Sequence, residues 1–172
     1  IESLYWKEEL GRIARSIRPV AKPKRWSERA ICTVERDVMF IVRRLIELNR
    51  VSSRIKTLKV NVFSAPVTRN ITQLNPDRLD KNYDWTAEKP EKQSVLHICN
   101  QCIHAYLSFV DRGPDRNWSD LIVVSDFDRN KAIWRIPFTI IIGLFDAASE
   151  DWPTSVRMDY APELSDYRVT ID

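Results

Sequence analysis

Leu121-Ile122-Val123-Val124-Ser125, then Asp126-Phe127-Asp128-Arg129-Asn130, then Lys131-Ala132-Ile133-Trp134-Arg135-Ile136 is the stretch that decides the fold. Two β-prone runs flank a polar loop of hairpin length, which predicts two antiparallel strands. Pro137 follows at once and is suited to the first turn of a helix in which Phe138, Ile141, Ile142 and Phe145 share a face. Upstream, Trp6, Leu10, Ile13 and Ile17 mark a helix from about Ser3 to Pro19. Ser27 caps a longer one, in which Ile31, Val34, Val38, Ile41, Leu45 and Leu48 form the apolar stripe to about Arg50. Thr57 to Phe63 alternates like a strand, and residues 64–89 read as mostly irregular, with Asn75-Pro76-Asp77 suited to open a short helix. Apolar periodicity from Val95 to Val110 predicts a third long helix, stopped by Gly113-Pro114, and the tail holds two β-prone pieces either side of Pro162.

The expected fold class is therefore α+β, a small helical bundle with a β-hairpin or small antiparallel sheet. One domain over 1–172 is expected: an N-terminal helix and basic linker (1–25), a helical core with an inserted strand (26–112), and the hairpin, fourth helix and tail (113–172). Composition agrees with a globular chain, at 44% hydrophobic and 30% charged residues with only three glycines. Few glycines also argue against nucleotide-cradling loops, and neither a Gly-x-Ser-x-Gly elbow nor a His-Glu-x-x-His helix is present.

The longest apolar run, Ile136 to Phe145, is about half of a membrane span. The first residues show no basic cluster followed by an apolar stretch, and three cysteines are an odd number, so a reducing, cytoplasmic compartment without membrane association is expected. The net charge of +3 hides an asymmetry. Residues 1–70 hold 16 Lys and Arg against 7 Asp and Glu and the remainder 11 against 17, so the halves carry +9 and −6. Such a separation suits RNA, an acidic protein or a second copy of the chain. Arg15, Arg18, Lys22, Lys24 and Arg25 form the densest basic stretch and are the candidate phosphate contacts; a solvated, proline-stiffened linker is the plainer reading.

Both histidines and two cysteines fall within His97-Ile98-Cys99-Asn100-Gln101-Cys102-Ile103-His104. On a continuous helix at about 100° per residue the cysteines lie opposite the histidines, so the four cannot ligate one ion, and no metal or other cofactor is expected. Cys99 and Cys102 read as small buried hydrophobes. The other side is a stripe of Gln93, His97, Asn100, Gln101, His104, Ser108 and Asp111 without Lys or Arg. That composition suits a polar interface, a buried hydrogen-bond network or a catalytic surface. The Asp126 loop begins like a calcium site but has Lys131 at the glycine position and Pro137 at the bidentate Glu position, so it reads as a hairpin tip.

Cys99-Asn100-Gln101-Cys102-Ile103-His104-Ala105-Tyr106 resembles the signature helix of HEPN proteins, in which Arg and a polar residue, often Asn, precede His, commonly with Tyr two positions later. The resemblance covers about eight residues. It implies a helical, metal-independent ribonuclease or RNA-binding protein of a toxin or phage-defence type, usually a dimer. His104 would then transfer protons, Asn100 would orient the substrate, Tyr106 would supply a phenol, and His97 would stand beside them. The family's Arg position is Cys99, and a thiol does not replace a guanidinium against a phosphorane. Active and inactive forms therefore both stand, with Arg36, Arg43 or Arg44 as substitute cations. A different class of function is a non-catalytic interaction or oligomeric scaffold module, in which the stripe is an interface and the six Trp and five Tyr serve contacts.

Overall fold

The computed structural model describes residues 2–18, 27–47 and 51–172. Helix α1 (Glu2–Ile17) buries Leu10, Ile13, Ala14 and Ile17 along the stripe read from the sequence. Helix α2 (Glu28–Glu47) starts where expected, with the Ala30 N–H donating to Ser27 Oγ at 3.2 Å, and it buries Val38, Val42 and Leu45. A short helix, α3 (Ser53–Thr57), leads into strand β1 (Lys59–Pro66). Helix α4 (Leu79–Asn82) begins beyond Asn75, whose Oδ1 accepts from the Thr72 N–H at 2.8 Å and so closes a turn rather than capping a helix.

The fold is α+β, and its sheet is larger than a hairpin. Strands β2 (Lys89–Ser94), β3 (Ala105–Arg112), β4 (Trp118–Ser125) and β5 (Ala132–Pro137) join β1 in the order β2-β1-β5-β4-β3. Every neighbouring pair is antiparallel. Periodicity alone does not reveal β2, which contains Pro90. That residue is tolerated because β2 is an edge strand bonded only to β1. β4 and β5 form the expected hairpin at the centre of the sheet. Their residues alternate between the two faces: Leu121, Val123, Trp134 and Ile136 join the helices, while Ile122, Val124 and Ile133 pack with Ala65, Ile71 and Tyr83 on the other side. An unbroken Leu-Ile-Val-Val run is what burial on both faces requires.

The expected helix from Val95 to Val110 is two elements. Helix α5 (Val95–Ile103) starts at Ser94, whose Oγ accepts from the His97 N–H at 3.1 Å, and ends at His104. β3 then pairs with β4. Tyr106, Leu107, Phe109 and Val110 are β-prone residues, and pairing with a buried central strand satisfies backbone groups that a longer helix would leave unpaired with β4.

Helix α6 (Phe138–Glu150) follows Pro137 as expected and packs on α1. The two are tied by Lys7, whose buried ammonium donates to the carbonyls of Ala148 and Asp151 at the α6 C-terminus, a placement that also complements the helix dipole. Burial lowers the Lys7 pKa, and the Asp151 charge opposes that shift. The chain closes with a separate two-stranded ribbon, β6 (Val156–Ala161) and β7 (Asp166–Ile171), matching the two β-prone tail pieces. Among the described residues no helix is long and apolar enough to cross a membrane.

Candidate functional site

The end of the helix at His104 reshapes the polar stripe. Gln93 lies in β2, and Ser108 and Asp111 lie in β3, so the seven-residue stripe is not one helix face. Four of its members do converge. His97, Asn100, Gln101 and His104 line a pocket of about 310 Å³, closed from the other side by Ser125 at the end of β4 and by Phe127 and Asp128 of the hairpin loop.

Gln101 forms the floor and is 3% exposed. Its Oε1 accepts from the Ser125 N–H at 2.9 Å and its Nε2 donates to Asp128 Oδ2 at 2.6 Å, so one side chain fastens the hairpin turn to α5. The Asp128 N–H donates to Ser125 Oγ, and Asp128 Oδ1 accepts from Lys131 Nζ at 2.8 Å. Burial alone would raise the Asp128 pKa, but the hydrogen bonds from Lys131 and Gln101, together with the charges of Lys131 and His97, outweigh it and hold the carboxyl below its ordinary value. The loop that resembled a calcium site at its start thus spends its acids internally, since Asp126 pairs with Arg129 at 2.7 Å.

His97 lies against the ring of Trp134, edge to face with centroids 4.8 Å apart. Its Nε2 is buried and has no hydrogen-bond partner among the described residues. Burial lowers its pKa; the Asp128 and Glu91 carboxylates oppose that shift and Lys59 reinforces it. The resulting neutral imidazole is suited to accept a proton or a hydrogen bond. His104 is exposed, as is Asn100. The His104 ring meets Phe127 edge to face at 5.5 Å, and Phe127 is itself 72% exposed.

Comparison of the chain with protein-family models, with curated proteins and with solved structures finds no match.

The remaining predicted residues are scattered. Tyr106 is not part of the pocket: it packs with the second core cluster under the Arg129 guanidinium, 4.6 Å from its ring centroid. Cys99 and Cys102 are free and buried, and burial raises both thiols, Cys99 to about 12. Neither provides charge to the pocket. Among the described residues no group of three or more His, Cys, Asp or Glu is arranged to hold a metal ion. Arg15 is exposed on α1, and Arg18 pairs with Asp146 of α6 at 2.5 Å; neither lines the pocket. Lys22, Lys24 and Arg25 lie outside the described residues, as do the side chains of Arg43 and Arg44, while Arg36 pairs with Asp37. A groove of about 400 Å³ between α1 and α2 is larger, but its Arg12, Arg29, Asp37 and Trp118 lining gathers no pair of acid-base groups comparable to the two histidines.

Sequence reasoning missed Phe127 and the structural part played by Gln101. The signal for Phe127 was an aromatic residue inside an otherwise polar hairpin tip. Gln101 had no such signal, because its partners are 24 and 27 residues away.

Proposed function

We propose that the chain is a HEPN-like RNA-binding protein whose pocket takes one unstacked base of a single strand. The observation that carries this reading is Phe127, a large aromatic side chain left 72% exposed, edge-on to His104 at the mouth of a polar pocket. Single-stranded RNA is held by stacking its bases on such rings and by hydrogen bonds to their edges. Asn100 offers an amide for a base edge, the buried His97 imidazole offers an acceptor or donor at depth, and Lys59 supplies nearby positive charge. The HEPN-like part rests on Asn100 and His104 lining one pocket. Because the Cys99 thiol in the family's Arg position is buried and neutral, the reading is binding, the inactive form of that resemblance.

Fluorescence anisotropy with single-stranded RNA oligonucleotides tests it. Micromolar binding that weakens steeply with salt is expected, together with a loss of about tenfold in each of Phe127→Ala and His104→Ala, since one stacked base is worth about 1–3 kcal/mol. No binding, or equal affinity in parent and both variants, would overturn the proposal. The two histidines in one pocket also favour acid-base chemistry, so the same oligonucleotides are incubated without metal. Cleavage that disappears in His104→Ala would replace the binding reading with a nuclease.

A further inference from the structure

We infer that the terminal ribbon is a self-association surface, through which two copies of this chain stack face to face. Residues directly opposite in an antiparallel pair point to the same side. The register Val156 to Ile171, Met158 to Val169 and Tyr160 to Tyr167 therefore gathers six apolar side chains on one face. The pairs between them, Arg157 with Thr170 and Asp159 with Arg168, put polar groups on the other. Only Ile171, at the base, is buried, where its N–H also donates to Ser53 Oγ at 3.0 Å. Along the rest of that face Val156, Met158, Tyr160 and Tyr167 are 60%, 64%, 59% and 57% exposed, and Val169 is 37% exposed.

This is the pattern of a sheet with one buried face, and among the described residues no layer covers it. A two-stranded ribbon is marginal in water and gains stability when an apolar face is covered. With about 150–250 Å² for a whole aromatic side chain, these exposures leave on the order of 500 Å² of largely apolar surface open on each copy. Two copies would bury about 1,000 Å² together, the lower bound for a specific interface, which corresponds to a weak dimer. A second copy is the occupant that the chemistry fits. A two-fold arrangement needs a patch that complements itself, which an apolar face does. The surrounding charges oppose it only weakly, because Arg157 is paired with Asp159 and Arg168 with Glu163, which leaves Asp166 and Asp172 as the ribbon's excess charge. This surface is separate from the pocket, none of whose lining residues lies in the ribbon.

Sedimentation velocity of the full chain over a hundredfold concentration range tests the inference. A monomer–dimer equilibrium in the micromolar range is expected. Met158→Asp and, separately, Tyr167→Lys should each weaken it by tenfold or more, whereas Thr170→Asp on the polar face should not change it. Circular dichroism of each variant checks that the fold is retained, and two independent apolar-face variants keep the test open if one misfolds. A parent chain that stays monomeric at the highest concentration, or a dimer unaffected by the apolar-face variants, would overturn it.

Discussion

The β4–β5 hairpin and the β6–β7 ribbon are the same local object, two antiparallel strands joined by a short connection, with opposite fates. β4 is buried along most of its length on both faces, with β1 and β3 as the outer neighbours of the hairpin and a helical layer above it. All but the last residue of β6 are exposed. The difference is written in their periods. Leu121 to Val124 is continuously apolar and is stable only between two layers, whereas Val156-Arg157-Met158-Asp159-Tyr160 alternates and asks for one layer. The hairpin therefore gets its stability inside one copy, and the ribbon has apolar area still to bury.

That contrast can be broken at its strongest point first. Ile133→Ala, at a fully buried position of β5, is expected to cost about 2–5 kcal/mol in urea unfolding; a loss below about 1 kcal/mol would show that the hairpin is not the core. Next is the clamp: Gln101→Leu strands the Ser125 N–H and one Asp128 oxygen, at an expected cost of about 1–3 kcal/mol. Faster amide exchange at Ser125 would confirm where the damage falls, and unchanged exchange would refute it.

A third prediction concerns pH. The His97 imidazole lies below its ordinary value of 6.5 in the folded chain, because burial outweighs the pull of Asp128 and Glu91. Between the ordinary and the lowered value the unfolded chain binds more protons, so stability falls as pH drops below 6.5 and recovers as pH rises. Urea midpoints between pH 7.5 and 5.5 should decline in the parent and less so in His97→Gln; parallel declines would assign the dependence to another group. Smallest of all, Met158→Ala in the ribbon should change monomer stability by no more than about 0.5 kcal/mol at low protein concentration, in contrast to Ile133→Ala. A larger loss under those conditions would mean the ribbon is covered within one copy.

Much of this fold was legible. The α1 stripe, the Ser27 cap, the β4–β5 hairpin, the helix after Pro137 and the two tail strands all follow from local periodicity and local breakers. Residues 95–110 did not, because Val95 to Ile103 and Ala105 to Arg112 are both rich in apolar residues and no proline or glycine separates them. What divides them is β4, whose backbone offers β3 a partner and turns the chain at His104, where the His104 carbonyl accepts from the Asp126 N–H at 3.0 Å. The site was legible to the same degree. His97, Asn100 and His104 were chosen correctly as neighbours, since three- and four-residue spacings on a helix need no knowledge of the rest. Tyr106 was joined to them only by the family resemblance, and it lies in β3, where alternation between the sheet faces packs it with Ile122, Val124 and Tyr83 instead of the pocket.

The sequence by itself determined the α+β class, the faces of its helices, the hairpin and the polar character of the α5 surface, because each of these is set by residues within a few positions of one another. Only the tertiary structure decided that β2 pairs at an edge, that α5 stops at His104, that Gln101 is a clamp, and that Phe127 stands over the histidines. Those outcomes depend on partners up to tens of residues away, whose hydrogen bonds and burial no local pattern encodes.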